Sequence, residues 1–164
     1  MNSKKVRIAV LASGRGSNFR ALAEAAQRGA LGDAEIVGLI CNKKSAGALE
    51  IAHSLGIQSF LVASSKFRKN KVLDRAAFDE ALDEKLDALQ PDWVCLAGYM
   101  LLLGPALVKN YANRIINIHP SLLPKFKGLD AVTQALEAGE TQTGCTVHFV
   151  NEALDDGPII LQST

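Results

Sequence analysis

The sequence predicts an α/β domain, a doubly wound and mostly parallel sheet with helices on both faces. Three observations carry that expectation. Apolar, β-branched runs alternate with helical patterns at the spacing of βαβ units. The runs are close to continuously apolar, as strands covered on both faces must be. The first run ends in Ser13-Gly14-Arg15-Gly16-Ser17-Asn18, a glycine turn that opens directly into a helical pattern. The 164 residues suit a single domain, 1–164, and a composition 48% hydrophobic and 21% charged excludes a disordered chain.

Each element has a local reason. Val6–Ala12 reads as a buried strand. Asn18–Gly29 reads as a helix, with Phe19, Leu22, Ala25 and Ala26 at helical spacing and Ser17 or Asn18 as its cap. A strand over Glu35–Cys41, a helix over Gly47–Leu55 and a short strand over Gln58–Val62 follow. The basic stretch Lys66–Lys71 reads as a solvated loop. Asp74 caps a long helix ending at Leu89, with Pro91 just beyond. Trp93–Gly98 is a strand, and Pro105–Tyr111 is a helix with proline in its first turn. Ile115–His119 is a strand, Asp130–Ala138 a helix, Gly144–Val150 a strand, and Ile159–Leu161 begins another. All five prolines lie after residue 90, so irregular loops are expected in the second half.

Charge and composition exclude several function classes. A formal net charge of +1 predicts no nucleic-acid or membrane partner. No apolar run approaches the ~20 residues that span a bilayer. Met1–Lys5 is basic and precedes an apolar run, but Arg7 interrupts that run and the glycine turn follows, so no leader is expected. Cys41, Cys95 and Cys145 are far apart, set in apolar segments and form no Cys-x-x-Cys pair. They read as thiols of a reducing, cytoplasmic compartment, with no metal. One chain does not encode its stoichiometry, and a homodimer is admitted.

Three segments concentrate chemistry. Glycines in the first loop let the backbone turn tightly and approach a ligand, and the following helix start favours an anion. The third glycine of the dinucleotide fingerprint is replaced by Phe19, and no Walker Gly-Lys-Ser/Thr follows. A single phosphate, a merely structural turn and a dinucleotide are the readings, in that order of preference. Asn117 and His119 stand two apart, so they project from one face at the carboxyl end of a strand. An amide can hold an oxyanion and a histidine can donate a proton; a satisfied strand end is the alternative. Asp155-Asp156-Gly157-Pro158 is ordinary turn chemistry, or a carboxylate that sits beside the histidine and keeps it protonated. His148 reads as a packed strand residue.

Ser-Gly-x-Gly-Ser-Asn at 13–18, Leu96-Ala97-Gly98-Tyr99-Met100, Asn117 through Pro124 and Leu154 through Ile160 together resemble phosphoribosylglycinamide formyltransferases, the folate-dependent enzymes of purine synthesis. The motifs run in order along nearly the whole chain. The resemblance implies formyl transfer from 10-formyltetrahydrofolate to the amino group of 5-phosphoribosylglycinamide. It implies His119 as proton donor, Asn117 as hydrogen bond to the oxyanion, and Asp155 as the group that positions His119. It places the substrate phosphate on Gly16, Ser17 and Asn18. It places the folate on Met100, Leu101, Leu102, Leu103 and Asn117, with Arg75 near the folate tail, and it implies a cis Leu123–Pro124 bond. The basic stretch Lys66, Arg68, Lys69 and Lys71 would then steer the acidic tail, if it is more than a solvated loop.

Three features depart from the family pattern. Leu101 stands where a basic residue is usual, Ala131-Val132 where Thr-His is common, and the family continues through a further strand segment and a long helix beyond residue 164. A formyltetrahydrofolate hydrolase and an inactive phosphate-ligand-binding remnant are accordingly the competing functions.

Overall fold

The computed structural model describes residues 4–164. The leader expectation bears in part on Met1–Ser3, which lie outside the described residues. Strands β1 (Val6–Ala12), β2 (Ala34–Cys41), β3 (Ser59–Leu61), β6 (Trp93–Leu96), β7 (Ile115–His119), β8 (Cys145–Phe149) and β9 (Ile159–Ser163) form one sheet in the order β3-β2-β1-β6-β7-β8-β9. The pairings from β3 through β7 are parallel, while β7–β8 and β8–β9 are antiparallel. Helices α1 (Ser17–Gln27), α2 (Gly47–Ser54), α3 (Arg75–Leu89), α4 (Pro105–Asn110) and α5 (Ala131–Glu137) supply the connections. The expected doubly wound, mostly parallel architecture is the observed one.

Burial on both faces explains the continuous apolar runs. Along β1, Ala9 and Leu11 join a cluster with Ile40, Phe78, Leu82, Leu86 and Leu107. The alternate residues Val10 and Ala12 join another with Phe19, Ala23, Leu39, Cys41 and Ile51. The period of two thus feeds two separate layers, and from Ala9 to Ala12 every residue of the strand is buried. Helix α3 docks through Phe78, Leu82, Leu86 and Leu89, which recur at helical spacing. Its start is the expected one: the Asp74 carboxylate accepts from the Ala77 N–H at 3.2 Å.

Two local expectations are corrected. Helix α1 begins at Ser17 and takes no side-chain cap; its N-cap is Gly16, with φ 84°. The stretch after β3 is not simply a loop. A 3-10 turn over Ser64–Phe67 leads into a two-stranded hairpin, β4 (Arg68–Lys69) and β5 (Val72–Leu73), turned by Asn70 and Lys71 in left-handed conformation. Its cations face solvent. Strand β9 is exposed along its whole length, including Ile159, Ile160 and Leu161. The Leu123–Pro124 bond is cis. Among the described residues no helix is long and apolar enough to cross a membrane.

Burial pushes the Cys41 thiol up to about 12 and the Cys95 thiol up to about 11, while Cys145 is only half-buried. The thiolate is the reactive species, so a thiol reagent at pH 8 should modify Cys145 alone in the native chain and all three thiols after unfolding. Cys145→Ser should abolish the native reaction; equal reactivity of the three would contradict the burial.

Candidate active site

Open α/β sheets bind ligands where neighbouring strands send their connections to opposite faces, at the carboxyl ends. Here that place lies between β1 and β6 and extends to β7. The glycine loop closes off β1. A Cβ on Gly16 would stand 2.7 Å from Ala48 Cα and Cβ, and the Ala48 N–H donates to Gly14 O at 3.2 Å, so this turn packs directly against α2. The first helical hydrogen bond runs from Arg20 N to Gly16 O. The N–H groups of Ser17, Asn18 and Phe19 therefore have no partner within the helix. Ser17 and Asn18 are exposed.

An apolar cavity of about 310 Å³ lies between α1 and the strands β6 to β8, lined by Ala21 and Leu22 of the helix and by Cys95, Ile116, Ile118 and Val147 of the sheet. A larger polar depression of about 570 Å³ lies at the opposite end of the strands, around Arg7, Asp92 and Arg114. Arg7 is tied there to the Leu89 and Gln90 carbonyls, and the chemistry-bearing motifs lie at the other end.

His119 and Asp155, far apart in sequence, meet at the end of β7, where Asn117 stands two residues before His119. His119 is buried, with Nε2 2.8 Å from Phe126 O and Nδ1 3.4 Å from Asp155 Oδ2. A carbonyl only accepts, so Nε2 carries a hydrogen. Both ring nitrogens face acceptors, an arrangement that a doubly protonated imidazole satisfies. Asp155 Oδ2 also accepts the Gly128 N–H at 2.8 Å. Its neighbour Asp156 points to solvent and pairs with Lys127, whose hydrogen bond and charge hold the Asp156 carboxyl below its ordinary range. The two aspartates of one turn thus have separate roles.

The loop that carries Phe126 is braced from below. Thr146 Oγ1 donates to Ser121 O at 2.7 Å and accepts the Leu123 N–H at 3.1 Å, and Ser121 Oγ donates to Lys125 O at 2.6 Å. Gly157 is required by a close approach, since a Cβ there would lie 1.7 Å from Phe149 O.

The Met100–Leu103 segment alternates. Met100 and Leu102 are exposed beside the site, whereas Leu101 and Leu103 pack against the core. The Met100 N–H donates to Ser13 Oγ at 2.8 Å, which ties the segment to the end of β1. Arg75, at the start of α3, donates to the Leu102 carbonyl and lies 3.9 Å from Asp79. Asp79 accepts the Gly104 N–H, and a Cβ on Gly104 would collide with that carboxylate. Arg75 is therefore bound to the segment itself.

His148 is the residue that sequence reasoning passed over. It is buried as expected, yet it lies in register opposite Asn117, with Nε2 3.3 Å from Asn117 Nδ2 and 3.7 Å from Asp155 Oδ1. The signal exists in the sequence only once β7 and β8 are known to pair antiparallel. Ser13 was likewise hidden, its role being a contact with a segment 87 residues away. Among the described residues no group of three or more His, Cys, Asp or Glu could hold a metal ion.

Two stability tests follow from this geometry. Gly16→Ala adds left-handed strain and a clash with Ala48, and should cost roughly 2–4 kcal/mol, a fall in melting temperature of about 5–15 °C; an unchanged melt would refute the close approach. Burial raises the Asp79 carboxyl above its ordinary range, against lesser lowering by Arg75 and the Gly104 N–H. The folded chain then binds more protons at Asp79 than the unfolded chain, so this group's contribution falls as pH rises through the carboxylate range. Asp79→Asn should gain stability relative to the parent as pH rises through that range, measured by denaturant titration; a gain on lowering pH would reverse the assignment.

Residues 6–164 match the formyl transferase family. The chain is 44% identical over 164 residues to the trifunctional purine biosynthetic protein adenosine-3 of Drosophila pseudoobscura pseudoobscura, covering 99% of this chain and 12% of that protein. It is 42% identical over 158 residues to phosphoribosylglycinamide formyltransferase of Escherichia coli (strain K12), covering 96% of this chain and 72% of that one. The crystal structure of glycinamide ribonucleotide transformylase 1 from Symbiobacterium toebii superposes with a TM-score of 0.90 at 43% identity, covering 97% of this chain and 72% of that one. Fold, motif order and these likenesses agree: the chain belongs to the formyl transferase family.

Proposed function

We propose that this chain transfers a formyl group from 10-formyltetrahydrofolate to the amino group of 5-phosphoribosylglycinamide, a step of de novo purine synthesis in the cytoplasm. The observation that carries the proposal is the buried pairing of His119 with Asp155 at the carboxyl end of β7, with Asn117 and His148 beside it, at the same end of the sheet as the glycine loop after β1. The names of relatives similar over nearly the whole chain support the same reading.

The roles follow from the chemistry. The substrate phosphate sits on the free N–H groups of Ser17 and Asn18, beside Gly16, where a helix start favours an anion. The folate lies along Met100–Leu103, with Met100 and Leu102 offering apolar contact and the main chain held in place by Ser13 and Arg75. Attack of the amine on the formyl carbon creates an oxyanion. An Asn117 N–H donates to it and His119 protonates it from Nε2. Collapse of the tetrahedral intermediate returns that proton to His119 and breaks the formyl bond to N10, which leaves as tetrahydrofolate with the proton that the attacking amine gives up. The Nε2–H donates to Phe126 O, so donation to the oxyanion requires exchanging that carbonyl for the substrate oxygen. Asp155 holds the opposite nitrogen and stabilises the imidazolium. Leu101 faces the core, so on this reading a charge partner for the folate tail comes from the exposed hairpin cations Arg68, Lys69 and Lys71.

The decisive measurement is tetrahydrofolate formation with both substrates present. His119→Ala and Asn117→Ala should each lower kcat by on the order of 10²–10³ with the fold retained. Formate release without the amine would replace the proposal by a hydrolase. Phosphate-ligand binding without turnover would replace it by a binding protein.

A further inference from the structure

We infer that His148 is a positioning residue whose ring decides which end of the Asn117 amide faces the reacting centre. Its consequence for catalysis rests on the formyl-transfer reading; the orientation itself does not. His148 is 2% exposed, and burial of an imidazole is costly unless its polar atoms find partners. Two of its partners, Asn117 and Asp155, belong to the site. Nδ1 lies 2.9 Å from Phe149 O, and because a carbonyl only accepts, Nδ1 carries a hydrogen. In the neutral ring Nε2 is then an acceptor. Asn117 Nδ2, 3.3 Å away, donates to it. A flipped amide would set its oxygen against the Nε2 lone pair with no hydrogen between them. The neutral tautomer thus holds the amide nitrogen toward β8 and leaves the second N–H of that nitrogen for the oxyanion.

Protonation reverses the arrangement. A hydrogen on Nε2 would face Asp155 Oδ1, 3.7 Å away on the β8–β9 connection, and would oppose the Asn117 N–H donor to donor. The amide would then rotate and exchange its nitrogen for its oxygen. Asp155 is the charged group recorded against this ring, and it is shared through its other oxygen with His119 on β7. Ile159 on β9, the register partner of His148, contributes no charge.

His148→Phe keeps a ring of similar size and removes both nitrogens. It should lower kcat about 10–100-fold with KM for both substrates within about 3-fold. His148→Gln, whose carboxamide oxygen can accept in place of Nε2, should restore kcat to within about 5-fold of the parent. In an Asn117→Ala background, His148→Phe should add less than about 3-fold, since the interaction it removes is already gone. Full additivity, or a Gln variant as impaired as the Phe variant at unchanged melting temperature, would overturn the inference. Nitrogen-15 NMR of the unsubstituted chain gives an answer independent of turnover and of whether the Phe variant folds. The His148 Nε2 should resonate as an unprotonated ring nitrogen at neutral pH and couple across the hydrogen bond to Asn117 Nδ2. A protonated Nε2 at that pH would refute the orientation even in a fully active enzyme. An inactive chain showing the coupling would refute the formyl-transfer reading and leave the orientation standing.

Discussion

A carboxylate can be buried only where donors surround it, and Asp155 concentrates that requirement. Its side chain is 9% exposed and faces His119, His148 and the Gly128 N–H. These come from β7, from β8 and from the loop between them, so satisfying one charge draws three chain segments together. The antiparallel turn of β8 against β7 makes this feasible. It returns the chain beside His119, and the β8–β9 connection then folds over the strand ends. Asp155 adopts a left-handed backbone, φ 47°, and the glycine two residues on admits the Phe149 carbonyl where a side chain would not fit. Local strain and close packing aim the carboxylate.

The rest of the site depends on similarly close approaches. Gly16 lets the first loop lie on α2, and Gly104 lets the exposed segment after β6 accept a clamp from α3. Both keep backbone N–H groups and carbonyls at fixed positions at the carboxyl ends of the strands. Anion recognition on the proposed function is therefore local. A net charge of +1 provides no general field, but a helix start and a few side chains act over ångströms, where water screens less. The segment Met100–Leu103 shows the same economy: alternate residues anchor in the core or face the site, and Leu101 takes the inward position.

Much of this was legible beforehand. The strand Ile115–His119 was visible from its apolar run, and its two polar side chains from their spacing. Asp74 announced the long helix that it caps. What escaped was decided elsewhere. Asn70 and Lys71 turn a hairpin whose strands are two residues each, too short to show an alternation in the sequence. The cap of α1 went to Gly16 because the approach of Ala48 leaves room only for a glycine there. His148 looked like packing because Val147-His148-Phe149 carries the alternation of any half-buried strand.

The sequence by itself determined the strands of the main sheet, the helices and the candidate polar side chains of the site, because those follow from periodicity and residue chemistry along the chain. Only the tertiary structure decided which polar atoms meet. Asn117 and His148 lie 31 residues apart and His119 and Asp155 farther still. Their pairing depends on the register of one antiparallel strand pair, and a shift of a single residue would turn His148 to the opposite face.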